Sequence, residues 1–181
     1  MPAYTSADIR NILLAGQGGS GKTTLADAIL FAAGAVNRKG SVTEGSSFSD
    51  FEKEEKEHQH SIYPSLLHVD YKGKRINIVD TPGSADLIGQ ALACMPATDA
   101  VVIVVNAQSG IEVVTRRMME VARELGLPRA IVINKIDLPQ LDLDSLVERI
   151  QATFGHECLP INLPAGGGKS VVDCLAGTDG P

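Results

Sequence analysis

The stretch GQGGSGKT, residues 16–23, constrains the fold most strongly, because it joins an apolar run at 9–15 to a helical pattern that ends at Gly34. Its spacing, a glycine followed after four residues by Gly-Lys-Thr, is that of a phosphate-binding loop. Glycines let consecutive backbone N–H groups turn toward phosphate oxygens, and the helix N-terminus adds positive potential. A merely flexible turn would not need the strand, the lysine and the threonine together. We therefore expect a phosphate site here.

The residues of this loop have separate expected roles. In phosphate-loop proteins the lysine reaches the outer phosphates and the next hydroxyl ligates Mg²⁺, so Lys22 is a candidate catalytic residue and Thr23 a candidate metal ligand. The candidate nucleotide-binding residues in this part of the chain are Gly16, Gln17, Gly18, Gly19, Ser20, Gly21, Lys22, Thr23 and Thr24. A second stretch, GGGKS at 166–170, has Leu163 where the leading glycine should be and is expected to be a loop.

Short apolar runs alternate with helical patterns, which is typical of a mostly parallel sheet covered by helices. The predicted fold is α/β, a three-layer P-loop NTPase fold with a mostly parallel central sheet. The predicted strands are 9–15, 62–71, 74–80, 100–106, 129–134 and 158–163. The predicted helices are 22–34, 111–126 and 143–155, and the second is expected to bury Val113, Met118, Val121, Ala122 and Leu125. A loop without regular pattern is expected at 37–61, and no further element after 163.

Composition narrows the class of protein. The net charge of −6 over 181 residues argues against a basic nucleic-acid-binding face, so no direct DNA binding is expected. Cys94, Cys158 and Cys174 are far apart and odd in number, which is typical of buried thiols in a reducing compartment. No apolar run approaches the ~20 residues needed to span a bilayer, and the N-terminus lacks a signal-peptide pattern. We expect a cytoplasmic protein without a membrane partner.

A second motif, Asp80-Thr81-Pro82-Gly83, ends the predicted strand 74–80. In phosphate-loop enzymes a carboxylate at this place holds Mg²⁺, usually through water, and the glycine offers its N–H to the γ-phosphate. Taken alone, the motif also fits a strand followed by a turn. Together with the phosphate loop it predicts Asp80 as a metal ligand and Gly83 as a candidate catalytic residue.

A third motif, NKID at 134–137, follows the predicted strand 129–134. The Asp137 carboxylate can accept two hydrogen bonds, from the N1 and N2 donors of guanine, and adenine has no such pair. Asn134 and Lys135 would tie the motif to the phosphate loop and cover the base. An exposed polar turn is the alternative for so short a motif, but its place behind the other two favours guanine. The predicted ligands are therefore GTP or GDP with Mg²⁺.

With these motifs assembled, the sequence resembles the translational GTPases, and among them elongation factor G and the elongation-factor-G-like branch. The likeness runs from about Asn11 to Leu175. It is carried by RNILLAGQGGSGKTTLADAILFAAGAVNRKG, KRINIVDTPGSAD, GLPRAIVINKIDLP and LPINLPAGGGKSVVDCL. The resemblance implies GTP hydrolysis in connection with the ribosome, which the family reaches through further domains. It also implies that residues 1–163 are the GTP-binding domain and 164–181 the start of an insertion, or a truncated tail.

The resemblance gives the 37–61 loop a role as the first switch. Family members usually have an Arg-Gly-Ile-Thr run whose hydroxyl ligates Mg²⁺ when GTP is present. The matching run here is His58-Gln59-His60-Ser61, which lacks the Arg-Gly pair. The resemblance implies that Ser61 is the metal ligand of this run, and its two histidines are expected to be solvated. The family's fifth motif, a Ser-Ala-type loop behind the base, has no convincing match.

Hydrolysis is where the sequence departs from the family. Elongation factor G typically has His after the DTPG glycine, where this chain has Ser84, and His and Asp in the phosphate loop, where this chain has Gln17 and Gly19. Ser84 is the candidate catalytic residue, but it is shorter than His and carries no positive charge. The first hypothesis is therefore a slow ribosome-linked GTPase, and the second a GTP sensor that hydrolyses poorly. A third, an ATP-dependent kinase or partitioning ATPase, is disfavoured by Asp137.

Overall fold

A five-stranded sheet forms the centre of the computed structural model, which describes residues 4–175. Its strands are β1 (Ile9–Ala15), β2 (Ser65–Tyr71), β3 (Lys74–Asp80), β4 (Ala100–Asn106) and β5 (Arg129–Asn134). Their spatial order is β2-β3-β1-β4-β5. Strand β2 pairs antiparallel with β3, and all other pairs are parallel. The carboxyl ends of β1, β3, β4 and β5 therefore meet at one edge of the sheet.

Helices cover both faces of this sheet. The α-helices of the described residues are α1 (Lys22–Ala32), α2 (Lys53–His58), α3 (Ile88–Cys94), α4 (Val113–Glu124) and α5 (Leu143–Phe154), of which all but the short α2 contribute to the core clusters on the sheet. Leu30 of α1 packs with Leu14 and Ile78 on one face, whereas α3 and α4 pack on the opposite face, around Leu13 and Ile103. Helix α5 packs beside α4, since Ile131 contacts both of their clusters. The predicted three-layer α/β fold is confirmed.

The central strands are buried on both faces of the sheet, because the side chains that point to either face are apolar. In β1, Leu13, Leu14 and Ala15 are all at most 1% exposed, although successive side chains point to opposite faces. Continuous apolar runs of this kind are typical of parallel strands with helices on both sides. The buried Thr81 hydroxyl donates to the Leu14 carbonyl at 2.7 Å and fixes the end of β3 beside the end of β1.

The predicted buried face of α4 is partly wrong. Met118 and Ala122 are buried as predicted, and Val121 packs against the core, but Val113 and Leu125 are 82% and 46% exposed. Val113 is the first residue of the helix, and the apolar stripe begins one residue later with Val114. Ile111, before the helix, already fills the core position next to α5.

The predicted last strand at 158–163 is also wrong in its bounds and in its surroundings. Strand β6 (Asn162–Ala165) pairs antiparallel with β7 (Ser170–Asp173) in a separate hairpin, so a further element does follow residue 163. Three consecutive glycines with φ of 58°, 67° and 82° make the reversal at Gly166–Gly168, which side-chain-bearing residues rarely allow. The boundary predicted at 163/164 falls within this hairpin, and residues 176–181 of the predicted tail lie outside the described residues.

Two further expectations need correction. The 37–61 loop contains α2, which begins at a capping box in which Glu55 accepts the Glu52 N–H at 3.2 Å. All three cysteines are free, but Cys174 is exposed, while Cys94 and Cys158 are half-buried.

Within residues 4–175 no helix has the length and apolar character to cross a membrane.

Candidate nucleotide-binding site

The phosphate loop leaves β1 at Gly16 and enters α1 at Gly21, and neither glycine has room for a β-carbon. Gly16 has φ 137° and lies against the Val104 carbonyl of β4, and its N–H faces the Met118 sulfur at 3.0 Å. Gly21 caps α1 with φ 94° and is packed against the side chain of Asn134. Two neighbouring elements, β4 and the end of β5, therefore fix the shape of the loop.

Lys22 lies inside this loop. Its ammonium group donates to the carbonyl oxygens of Gly16 and Gln17 at 2.9 and 3.0 Å, and the residue is 6% exposed. Burial lowers the pKa of Lys22 to about 8, and the negative charge of Asp80 opposes that shift. Lys22 has no ion pair with any of residues 4–175, so this buried cation is suited to binding an anion, and its contacts with the loop carbonyls hold it at the loop's centre.

Thr23 and Asp80 meet beside the loop, as their predicted roles require. The Thr23 hydroxyl donates to Asp80 Oδ2 at 2.7 Å and lies 3.1 Å from the hydroxyl oxygen of Ser61. Asp80 is 1% exposed, and burial raises its pKa to about 6, against the effects of the Thr23 hydrogen bond and the Lys22 charge. The three predicted metal ligands are thus brought together from α1, β3 and the 37–61 loop.

This cluster fits Mg²⁺. Its donors are two hydroxyls and a carboxylate, the oxygen ligands that Mg²⁺ prefers. The buried Asp80 Oδ1 has no hydrogen-bond partner among the described residues, and a buried polar atom of this kind costs free energy unless something satisfies it. Thr23, Ser61 and Asp80 would hold the ion directly or through water.

Asp50 belongs to the site and was missed by the sequence reading. Its Oδ1 accepts the Ser61 hydroxyl at 2.7 Å, and the residue is 3% exposed. Burial raises the pKa of Asp50, while the Ser61 hydrogen bond lowers it. Asp50 thereby fixes the direction of the Ser61 hydroxyl. No local pattern marks it, because its partner lies eleven residues further along an irregular loop.

Glu55 holds the backbone that carries Ser61. It is 1% exposed, and its Oε1 accepts the N–H groups of Ile62 and Tyr63 at 2.9 and 3.1 Å. Its Oε2 accepts the Glu52 N–H at the start of α2. One carboxylate therefore joins both ends of the segment 52–63, whose sequence carries no signal for this role beyond the capping-box spacing.

The turn after β3 lies across the phosphate loop. A β-carbon on Gly83 would collide with Lys22 Nζ and with the backbone nitrogen of Gly18, so only glycine fits there. Ser84, the next residue, is half-buried and makes no side-chain cap at the short helical turn it begins. Gly83 thus lies beside Lys22, and the Ser84 backbone lies next to Gly18 of the loop.

The NKID segment reaches the phosphate loop through one hydrogen bond. The Asn134 side-chain amide donates to the Ser20 carbonyl at 2.9 Å. Lys135 follows with φ 61°, and both Lys135 and Asp137 are exposed. Asp137 lines a cleft of about 510 Å³ that also borders the turn of the β6–β7 hairpin. Asn134 is therefore joined to the phosphate loop, whereas no side-chain hydrogen bond of Lys135 or Asp137 is found within residues 4–175.

Comparison with known proteins agrees with this arrangement. The family described as "Elongation factor Tu GTP binding domain" matches residues 7–175. The chain belongs to this family. The resemblance to translational GTPases inferred from the sequence is thereby confirmed, and the chain is a GTP-binding domain of that kind.

Relatives in this family include several translation factors. The chain is 38% identical over 160 residues to an elongation factor G-like protein of Mycobacterium tuberculosis, covering 88% of the chain and 22% of the relative. It is 35% identical over 155 residues to peptide chain release factor 3 of Streptococcus mutans, covering 83% and 30%. Ribosome-releasing factor 2, mitochondrial, of Drosophila willistoni is 34% identical over 160 residues, covering 88% and 22%.

A solved structure shares the fold. A crystal structure of a Thermus thermophilus protein matches with a TM-score of 0.86 and 38% identity, over 93% of this chain and 26% of that one. The chain thus spans between 22% and 30% of the length of the curated relatives named above.

Glu55→Ala tests how the Ser61 segment of this GTP-binding domain is held. We expect amide hydrogen exchange at Ile62 and Tyr63 to accelerate by roughly 10–100-fold, because hydrogen bonds to a charged acceptor are each worth about 1.5–3 kcal/mol. Exchange measured by NMR in the ligand-free chain reports the effect residue by residue.

Glu54→Ala is the matched control for this prediction. Glu54 lies in the same first turn of α2 but is exposed, so both substitutions remove the same favourable interaction with the helix dipole. Only Glu55→Ala should accelerate exchange at Ile62 and Tyr63. Equal acceleration by both variants would show that helix stability, and not the Glu55 contacts, holds the segment.

Proposed function

We propose that this chain is the nucleotide-binding domain of an elongation-factor-G-like translational GTPase, binding GTP and GDP with Mg²⁺ and hydrolysing GTP in connection with the ribosome. The observation that carries the proposal is the hydrogen bond from Asn134 to the Ser20 carbonyl. It joins residues 134–137, the proposed guanine-selective segment, to the phosphate loop, so that one nucleotide can contact both. The relatives' names, which include release and ribosome-releasing factors, support the connection with translation.

Guanine selection rests on Asp137 and its neighbours. The exposed carboxylate accepts hydrogen bonds from the N1 and N2 donors of guanine, a pair of donors that adenine lacks. The Lys135 side-chain stem covers the base. Phosphate binding rests on Lys22 and on the backbone N–H groups of the loop that are not engaged elsewhere; the Gly16 N–H faces the Met118 sulfur and the Ser20 N–H the Gln17 carbonyl. This division of roles, base recognition at the end of β5 and phosphate recognition after β1, places the ligand across the carboxyl edge of the sheet.

The metal and the switch segments belong to the same proposal. Thr23, Ser61 and Asp80 would hold Mg²⁺, which would neutralise phosphate charge. Ser61 reaches this site from the 37–61 loop, and Gly83 offers its N–H to the γ-phosphate from the turn after β3. Loss of that phosphate removes the attachment of Gly83 and weakens the metal site that Ser61 completes, while the contacts of Ser61 with Thr23 and Asp50 remain.

Hydrolysis would use Lys22, Gly83 and Ser84. Positioning of the attacking water and stabilisation of developing charge supply most of the catalysis in phosphoryl transfer. Ser84 begins the turn beside Gly83 and is the candidate to position that water, but its neutral, short side chain supplies no charge. Gln17 and Gly19 add none from the phosphate loop. Intrinsic hydrolysis is therefore slow.

Contact with the ribosome occurs through further domains of a longer factor in the cytoplasm.

A second candidate function is a GTP sensor in which hydrolysis is negligible. The observation that favours it is Ser84 itself, together with the absence of an Arg-Gly pair before Ser61. Ribosome-stimulated turnover of the full-length factor separates the two, because only the first function requires it.

Asp137→Asn tests the guanine site. Calorimetric titration of the chain with GDP, GTP and ATP in Mg²⁺ should show micromolar or tighter binding of both guanine nucleotides and none of ATP. The variant should lose guanine binding but gain xanthine nucleotide binding, because the amide can donate to the oxygen that replaces the N2 amine in xanthine. That gain is the control for folding. ATP competing equally with GTP in the unchanged protein would overturn the proposal.

Ser84→His tests the hydrolytic step. We expect single-turnover hydrolysis by the unchanged chain to be slower by about 10²–10³-fold than with a well-placed stabilising group, judging by the loss of one such group in other enzymes. The variant should recover part of that difference while its GTP affinity stays constant. Equal rates in the two proteins, measured by phosphate release, would show that residue 84 does not limit hydrolysis.

A further inference from the structure

The turn of the β6–β7 hairpin touches the backbone of the guanine-selective segment. A β-carbon placed on Gly168 would lie 3.0 Å from the Asp137 nitrogen and closer still to the carbonyl oxygen of Ile136. These atoms belong to the single peptide group that joins Ile136 to Asp137. Gly168 therefore lies against the peptide immediately before the carboxylate-bearing residue, at a distance that no other residue type allows.

Asp137 has little else to fix its direction. Its side chain is exposed, and no hydrogen bond or ion pair to it is found in the described part of the chain. The backbone around it is held by a bond from the Ala107 N–H to the Asn134 carbonyl at 2.9 Å and by a long one, 3.4 Å, from Leu138 to Lys135. The orientation of the Ile136–Asp137 peptide thus sets where the carboxylate points.

The hairpin provides a defined support for that peptide. Four residue pairs, from Asn162 with Asp173 to Ala165 with Ser170, fix its register. A further backbone bond from Cys174 to Ile161, at 2.9 Å, extends the pairing beyond the strands. The turn is therefore held at both of its ends by the pairing of β6 with β7.

The three glycines of the turn differ in what surrounds them, although all have left-handed backbones. Gly168 has φ 82° and faces the Ile136–Asp137 peptide. Gly167 has φ 67° and has nothing within 4 Å of a β-carbon position, while Gly166 meets only the Ser170 hydroxyl at 3.3 Å. Contact with the guanine-selective segment is thus specific to Gly168 within the turn.

We propose that Gly168 is a positioning residue for guanine recognition, acting through the Ile136–Asp137 peptide to aim the Asp137 carboxylate at the N2 amine of the base. This inference rests on the proposed function, in which Asp137 reads guanine. The hairpin thereby takes part in nucleotide selectivity although it supplies no group that contacts the base.

Gly168→Ala tests the proposal by the ratio of two affinities. Inosine diphosphate differs from GDP by lacking the N2 amine, so the ratio of its dissociation constant to that of GDP measures the hydrogen bond that Asp137 makes there. The unchanged chain should show a ratio of about tenfold or more, the size expected for a hydrogen bond to a charged group. In Gly168→Ala the ratio should fall at least about fivefold, because GDP loses the hydrogen bond at N2 that inosine diphosphate never makes.

Gly167→Ala is the matched control, because it imposes a comparable left-handed strain without reaching Ile136. It should leave the ratio unchanged. If Gly168→Ala does not fold, as judged by circular dichroism, the same comparison is made with Gly168→Asn and Gly167→Asn, since Asn tolerates the left-handed region. An unchanged ratio in a folded Gly168 variant, or an equal fall in the Gly167 variant, would overturn the proposal.

The failure of the proposed function would look different. In that case the unchanged chain would bind no GDP, or would bind GDP and inosine diphosphate equally, before any glycine is replaced. A high ratio in the unchanged chain that survives Gly168→Ala would leave guanine binding established and refute only the role of Gly168.

Discussion

Burial of the Asp80 carboxylate is the constraint on which the rest of the site depends. A buried carboxylate costs free energy unless it is paired or hydrogen-bonded. Here it accepts the Thr23 hydroxyl at 2.7 Å, and the charge of Lys22 and a weaker interaction with Ser49 also favour its charged form, but its other oxygen has no well-formed hydrogen bond among the described residues. A divalent cation held by Thr23 and Asp80 would remove that cost. Metal binding would then stabilise the phosphate loop and the end of β3 in the same geometry.

The same constraint joins the switch segments to the loop. Ser61 lies 3.1 Å from the Thr23 hydroxyl and donates to Asp50, while Glu55 holds the backbone that follows. The turn after β3 is joined as well, because Gly83 packs directly against the Lys22 ammonium group. In the proposed function, a change at the outer phosphate would therefore reach both segments directly, through Thr23 and Lys22. The turn of the β6–β7 hairpin lies against the peptide before Asp137, the residue proposed to read the base.

The sequence predicted best what local spacing determines. The strand, loop and helix around Lys22, the end of β3 at Asp80 and the end of β5 at Asn134 all follow from short-range patterns, and the five sheet strands were predicted. Asp50 and Glu55 were missed because their partners are reached through an irregular loop, in which no periodicity operates. Val113 was assigned to the core because periodicity gives the width of an apolar stripe but not its first residue. The hairpin was missed because β7 has four residues and a polar start.

The measurement that tests the account most directly is a double-mutant cycle on GTP affinity with Thr23→Val and Asp80→Asn, titrated with and without Mg²⁺. The account predicts that Mg²⁺ raises the GTP affinity of the unchanged chain by at least about tenfold, worth about 1.4 kcal/mol. Each single variant should lose most of that gain, and the double variant should lose no more than either, because both side chains hold one ion. Additive losses, or a GTP affinity that does not depend on Mg²⁺, would contradict it.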